Sequence, residues 1–166
     1  MPASSEPPSR RFSNPESLHS QPPSPADRSA LPLGNLLPAL LIPLEHFPRI
    51  DLDSSRAAMR AAVMHSPPGY LLVFASAEED FPLGYVHRTP LAIELLTGNR
   101  ADVQRLVTLT PCLPISISLG EALRLLGRKQ AELGILCDLK GAALGCCTRE
   151  CLQQLAPVSA AQPSSC

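Results

Sequence analysis

Three cysteines fall within eight residues near the end of the chain, in the stretch LGCCTREC that runs from Leu144 to Cys151. Cysteines this dense raise two chemistries, metal ligation and thiol exchange. A structural zinc site asks for knuckles of the Cys-x-x-Cys kind. Cys146 and Cys147 are adjacent instead, so on a strand they point to opposite faces and do not readily ligate one ion. Cys147 and Cys151 can approach each other across a strand-to-helix junction, and Cys112 or Cys137 would join them only through folding. Cys137 and one of the adjacent pair read as small apolar residues in buried strands. Cys151 stands apart, because a thiol at a helix N-terminus can be acidified and reactive.

The other candidates for chemistry are fewer. His87 has no cysteine or carboxylate at ligand spacing beside it, so it reads as a structural or half-exposed histidine. The acidic run AEEDF, residues 77–81, reads as a solvated turn. No paired acids, Ser–His–Asp arrangement or phosphate loop is present, so the sequence predicts neither an enzyme nor a metal site.

Composition narrows the class further. The net charge is −1 and the basic residues are scattered, which argues against a nucleic-acid surface. Tryptophan is absent and aromatics make up 4 %, so stacking platforms for bases are not expected either. The most apolar stretch, LPLGNLLPALLIPLEHF, is broken by prolines and then by Glu45 and His46, too early to span a bilayer. The N-terminal SRRF resembles the start of a twin-arginine export signal, but no apolar segment follows it. A cytoplasmic location and free thiols are therefore expected. Nineteen prolines are many for a wholly folded chain of 166 residues. Residues 1–30, rich in Pro and Ser, and residues 157–166 are expected to be disordered.

Between them lies an internal repeat. The first copy, in residues 31–107, opens with RIDLDSSRAAMRAAV, an extended stretch and then a helix that Asp53 or Ser54 can cap. YLLVFAS and LGYVH read as strands, and RTPLAIELLTGN as a helix with Thr89 at its cap and Gly98 at its stop. The second copy, in residues 108–156, repeats the order. LPISIS is extended, and Ser118 with Glu121 makes a capping box for LGEALRLLGRKQ. The strands LGILCD and ALGCCT and the helix RECLQQLA complete it. Each copy is strand–helix–strand–strand–helix, an α/β (α+β) unit too small to bury its faces alone, so the two are expected to pack sheet to sheet.

That order, with Gly-apolar-apolar-(Ser/Thr) leading into each last helix, resembles the CBS (cystathionine β-synthase) domain, two of which in tandem form a Bateman module. Residues 40–155 are most similar to the CBS pair of CorC/HlyC-type magnesium–cobalt efflux and hemolysin-like proteins. LLIPLEHFPRIDLD, HSPPGYLLVF, LGYVHRTPLAIELL, DVQRLVTLTPCLPISISLGEALRLL and CDLKGAALGCCT carry the match, in order. The pattern departs from the family at Leu44, where the family has Arg, and in the turn Leu139-Lys140-Gly141-Ala142. Against that family, the pair is expected to stand without the membrane domain that usually precedes it and the small domain that often follows.

The resemblance implies a cleft for AMP, ADP or ATP. A hydroxyl at the last strand's end and the following helix N-terminus would meet phosphate, and a carboxylate three residues later would take the ribose. The second copy has the hydroxyl as Thr148 but Cys151 at the acid position, with Glu150 one residue early; Pro114 and Ile115 of the lead-in strand would flank the adenine. The first copy has His87 and Pro90 at the corresponding places. The resemblance therefore implies a non-catalytic regulatory or interaction module with a degenerate nucleotide site. It also implies a homodimer and a membrane-transport partner for divalent cations. The alternative is a thiol-reactive or metal-binding protein on the same scaffold.

Overall fold

Two apolar rows alternate along each strand of the repeat, and this alternation sets the layering of the molecule. The computed structural model describes residues 25–65, 69–97 and 103–156. Its elements are α1 (Pro25–Ala30), α2 (Leu37–Leu40), β1 (Arg49–Asp51), α3 (Arg56–His65), β2 (Tyr70–Phe74), β3 (Gly84–His87), α4 (Arg88–Leu96), α5 (Val103–Leu106), β4 (Thr108–Leu109), β5 (Cys112–Pro114), α6 (Leu119–Lys129), β6 (Leu133–Cys137), β7 (Ala143–Thr148) and α7 (Arg149–Leu155). One sheet has the order β1-β2-β3-β4 and the other β5-β6-β7, with the first pair of each parallel and the rest antiparallel.

The alternation sorts side chains into three layers. Leu71, Val73 and Val86 face α3 and α4 with Met59, Val63, Leu91 and Leu95. Leu136 and Cys147 face α6 and α7 with Leu119, Leu126 and Leu152. Between the sheets lie Leu72, Phe74 and Tyr85 from one and Leu133, Ile135, Cys137 and Cys146 from the other. The order is helix, sheet, sheet, helix, as the repeat requires.

Each repeat's lead segment leaves its own sheet and pairs with the other's. β4, which leads into the second repeat, lies against β3 of the first. Ile42, which leads into the first, exchanges two backbone hydrogen bonds of 2.8 Å with Cys146 of β7. Both crossings pass over a glycine. A Cβ on Gly145 would stand 2.6 Å from Leu41 Cδ1 and 2.7 Å from Ile42 O, and one on Gly84 would collide with the Thr108 carbonyl oxygen. Gly84, which opens Gly84–His87, and Gly145, which opens Gly145–Thr148, are thus both required by the close approach of the crossing backbone.

Several local expectations shift. Residues 25–30, grouped with the N-terminal arm, are helical as α1, and Leu119 N–H donates to Leu31 O at 3.0 Å beside it. The segment 31–42, grouped with the first repeat, packs on the second: Leu33 and Leu40 are buried with α6 and α7. The N-cap of α4 is His87 rather than Thr89. Ser55, not Asp53 or Ser54, accepts from Ala58 N–H at the start of α3, at 3.2 Å. Ser118 and Glu121 form the expected capping box, and those hydrogen bonds hold the Glu121 carboxyl below its ordinary 4.5. Residues 1–24, Gly98 and residues 157–166 lie outside the described residues.

Gly145→Ala is expected to destabilise the chain by about 1–3 kcal/mol through overpacking against Leu41 and Ile42. The denaturant midpoint measures this, and Gly141→Ala, where a Cβ meets nothing within 4 Å but φ is +87°, separates backbone strain from collision.

Candidate functional site

The two strand-to-helix junctions of the repeat come to the same end of the sheet sandwich. Thr148 closes β7 and caps α7, its Oγ1 accepting from Cys151 N–H at 3.1 Å. His87 closes β3 and caps α4 without a side-chain cap bond. A cavity of about 400 Å³ opens at the Thr148 junction, lined by Tyr70, Glu132, Thr148, Arg149, Glu150 and Gln153. The larger hollow, about 520 Å³, lies away from the junctions on the outer face of α6, between Ile117, Glu121, Arg124, Leu125 and Arg128. Four of those five sit on one helix, so it is a surface furrow between side chains of α6.

Glu132 organises the junction. The Tyr70 hydroxyl donates to Glu132 Oε2 at 2.6 Å, and Glu132 N–H donates to the Tyr85 hydroxyl at 2.9 Å. His87 Nε2 stands 3.8 Å from the same Oε2, and its ring packs against Tyr70 and Tyr85 with centroids 5.1 and 5.5 Å apart. The ion pair is half-exposed, so it contributes little beyond geometry. Burial, reinforced by the bond to the Glu132 carboxylate, raises the Tyr70 phenol above its ordinary value. Sequence reading found no carboxylate near His87, because Glu132 is 45 residues further along and only sheet packing brings it there.

Two of the first three N–H groups of α7 are bonded within the chain. Arg149 N–H donates to Glu132 O at 2.7 Å and Cys151 N–H to Thr148 Oγ1. In the first repeat Arg88 N–H likewise donates to Gly69 O at 2.9 Å. The Arg149 guanidinium reaches back to α6, with Nη2 3.9 Å from where a Cβ on Gly127 would lie. The charged groups of the cavity lining are thus two carboxylates, Glu132 and Glu150, and one arginine, Arg149.

The remaining sequence candidates are dispersed. Cys151 packs against the Leu33–Leu152 layer and does not line the cavity. Pro114 and Ile115 lie at the far end of the sheet: Pro114 opposes Cys137 at one end of β6, whereas Thr148 opposes Leu133 at the other. Gly34 N–H covers that far end by donating to Ile115 O at 2.8 Å.

The thiols need one correction. Cys112 and Cys137, expected to be free, are joined in a disulfide with Cα atoms 6.2 Å apart, because parallel pairing of β5 with β6 sets them diagonally opposite. Cys146, Cys147 and Cys151 are free. Cys146 and Cys147 do face opposite layers, and burial pushes both thiols up to about 12, with the neighbouring cysteines adding to the effect at Cys147. Among the described residues no group of three or more His, Cys, Asp or Glu could hold a metal ion, and no helix is long and apolar enough to cross a membrane.

Solved structures share this architecture. A CBS-domain pair with bound AMP from Klebsiella pneumoniae aligns with a TM-score of 0.58 at 17 % identity, over 75 % of this chain and 96 % of that one. A hemolysin-like protein containing a CBS domain from Oenococcus oeni aligns at 0.63 and 11 %, over 79 % and 93 %. The CBS domain of a bacterial CNNM/CorC family Mg2+ transporter, in complex with ATP, aligns at 0.61 and 16 %, over 79 % and 90 %. No protein-family model and no curated protein matches the chain. The fold is that of a tandem CBS pair, in agreement with the resemblance read from the sequence.

The half-buried Tyr70 phenol gives a direct check of the Glu132 contact. Of the two tyrosines, Tyr70 is expected to form phenolate only well above pH 10 in an ultraviolet titration, and Glu132→Gln to bring it down. The phenol is raised on folding, so its contribution to stability is complete below the unfolded value and is lost as pH climbs through the folded one. An unmoved titration in Glu132→Gln would dismiss the contact.

Proposed function

We propose that this chain is a cytoplasmic, non-catalytic CBS-pair module that regulates a partner, with an adenosine-nucleotide site that has degenerated. The observation that carries the reading is the internal use of the phosphate-side donors. Arg149 N–H and Cys151 N–H are bound within the chain, and two carboxylates, Glu132 and Glu150, line the cavity where phosphate would sit against a single arginine, Arg149. The absence of an acid at position 151 supports the same conclusion, since Cys151 turns into the helix-side core. Retained shape without retained ligand suits a module that works by geometry and contact, transmitting differential binding energy between partners.

The partner surface follows from exposure. Met64 on α3 and Ile93 and Leu96 on α4 are large apolar residues at 75 %, 56 % and 79 % exposure. A second copy of the chain covers them in this reading, giving a homodimer, and a divalent-cation transporter is the regulated partner. The likeness to a CBS domain of an Mg2+ transporter supports the latter. The alternative, a thiol-reactive protein on the same scaffold, draws support from the Cys112–Cys137 pair rather than from Cys151.

Calorimetry with AMP, ADP and ATP is expected to give dissociation constants weaker than ~100 μM, about −5.5 kcal/mol. Tighter binding of any of the three overturns the degenerate site. Sedimentation is expected to show a dimer of the 17.7 kDa chain that Leu96→Asp converts to monomer, and magnesium or cobalt sensitivity of a deletion strain tests the transport link.

A further inference from the structure

The Cys112–Cys137 bond joins an exposed residue to a buried one. Cys112 lies on β5, at the edge of its sheet, and is exposed. Cys137 is 1 % exposed, in the layer between the sheets with Leu72, Phe74, Ile135 and Cys146. We propose that this pair is a thiol-exchange site, in which Cys112 accepts an incoming thiolate from a dithiol reductant and Cys137 is the leaving group. The proposal is independent of the nucleotide reading; only its meaning as a redox control rests on the cytoplasmic location, where disulfides are characteristically transient and sensory.

The chemistry balances. The incoming thiolate forms a bond to Cys112 Sγ as the Cys112–Cys137 bond breaks, and the electron pair goes to Cys137 Sγ, which takes a proton. The second thiol of the reductant then displaces Cys112 Sγ from the mixed disulfide. The dithiol is oxidised to its own disulfide, and two electrons and two protons end on the two cysteines. A monothiol such as glutathione first gives the mixed disulfide on Cys112, which persists until a second thiolate displaces it. Access decides the order, since only Cys112 meets solvent. Cys146, in the same buried layer, does not compete as a nucleophile because burial holds its thiol up to about 12.

The bond holds a weakly attached strand. β5 has three residues at the edge of its sheet, and Pro111, which precedes it, supplies no N–H to the ladder. Its two ends rest on Ile135 N–H to Pro111 O and Ile115 N–H to Cys137 O, each 3.0 Å. The disulfide closes the stretch from β5 through α6 to β6, a sequence separation of 25 residues, and removes loop freedom that would otherwise favour detachment. Breaking it frees the edge strand that carries Pro114 and Ile115, against which Gly34 is paired.

The test uses the full chain. After oxidation with diamide and unfolding with iodoacetamide, four of the six cysteines are expected to be labelled and peptide mapping to link Cys112 with Cys137. Six labels, or a different linked pair, overturn the proposal. Reduced glutathione added to the oxidised protein is expected to appear on Cys112; its appearance on Cys137 reverses the assignment of attacked and leaving sulfur. Hydrogen exchange at Leu113 and Ile115 is expected to quicken at least ~10-fold on reduction, roughly the effect of 1.4 kcal/mol, with the β2 and β3 amides unchanged. In Cys112→Ser the same amides are expected to exchange fast under both conditions. Equal exchange in the oxidised and reduced protein rules out the strand clamp.

Discussion

The two lead segments cross between the repeats, and the sheets are held face to face by that exchange. Each repeat lends a short extended piece to the other's sheet, Ile42 to β7 and β4 to β3. Neither repeat can therefore complete its sheet alone, and the layer of Leu72, Phe74, Tyr85, Leu133 and Ile135 forms only when both are present. Two glycines make the exchange possible, since any side chain at 84 or 145 would stand in the path of the crossing backbone. A small two-copy chain gains from this what a larger domain gains from size, one continuous core.

The same crossing fixes the junctions. With the sheets face to face, the starts of β2 and β6 meet, and Tyr70, Tyr85 and His87 of one repeat surround Glu132 of the other. Beside the cavity at that junction, the Arg149 and Cys151 N–H groups are bonded to the chain's own oxygens. A carboxylate held by a phenol and a helix start bonded to a neighbouring carbonyl are stable without a guest. The outer helices α3 and α4 carry Met64, Ile93 and Leu96, three of the exposed large apolar side chains among the described residues.

The cysteines divide along the same lines. Strand alternation sends Cys146 between the sheets and Cys147 toward the helices, where burial keeps both thiols protonated and inert. Cys151 joins the helix-side layer as a packing residue. The pair with accessible chemistry is instead the one that looked least connected in sequence, Cys112 and Cys137.

Local patterns were enough for much of this. The period-2 strands, the Ser118–Glu121 capping box, the repeat order and the opposite faces of Cys146 and Cys147 all follow from neighbours within a few residues, and the structure retains them. Ser55 and His87 displaced the expected caps because several polar residues compete within one turn, and tertiary packing selects among them. The contacts that define the junction and the disulfide could not be read this way. Tyr70 and Glu132 are 62 residues apart and Cys112 and Cys137 are 25 apart, and no periodicity carries a signal over such distances. Which elements form, and which face of each is apolar, was legible along the chain because local sterics and burial set both. Which junction groups meet and which sulfurs bond emerged only on folding, because sheet pairing and sheet packing set those distances.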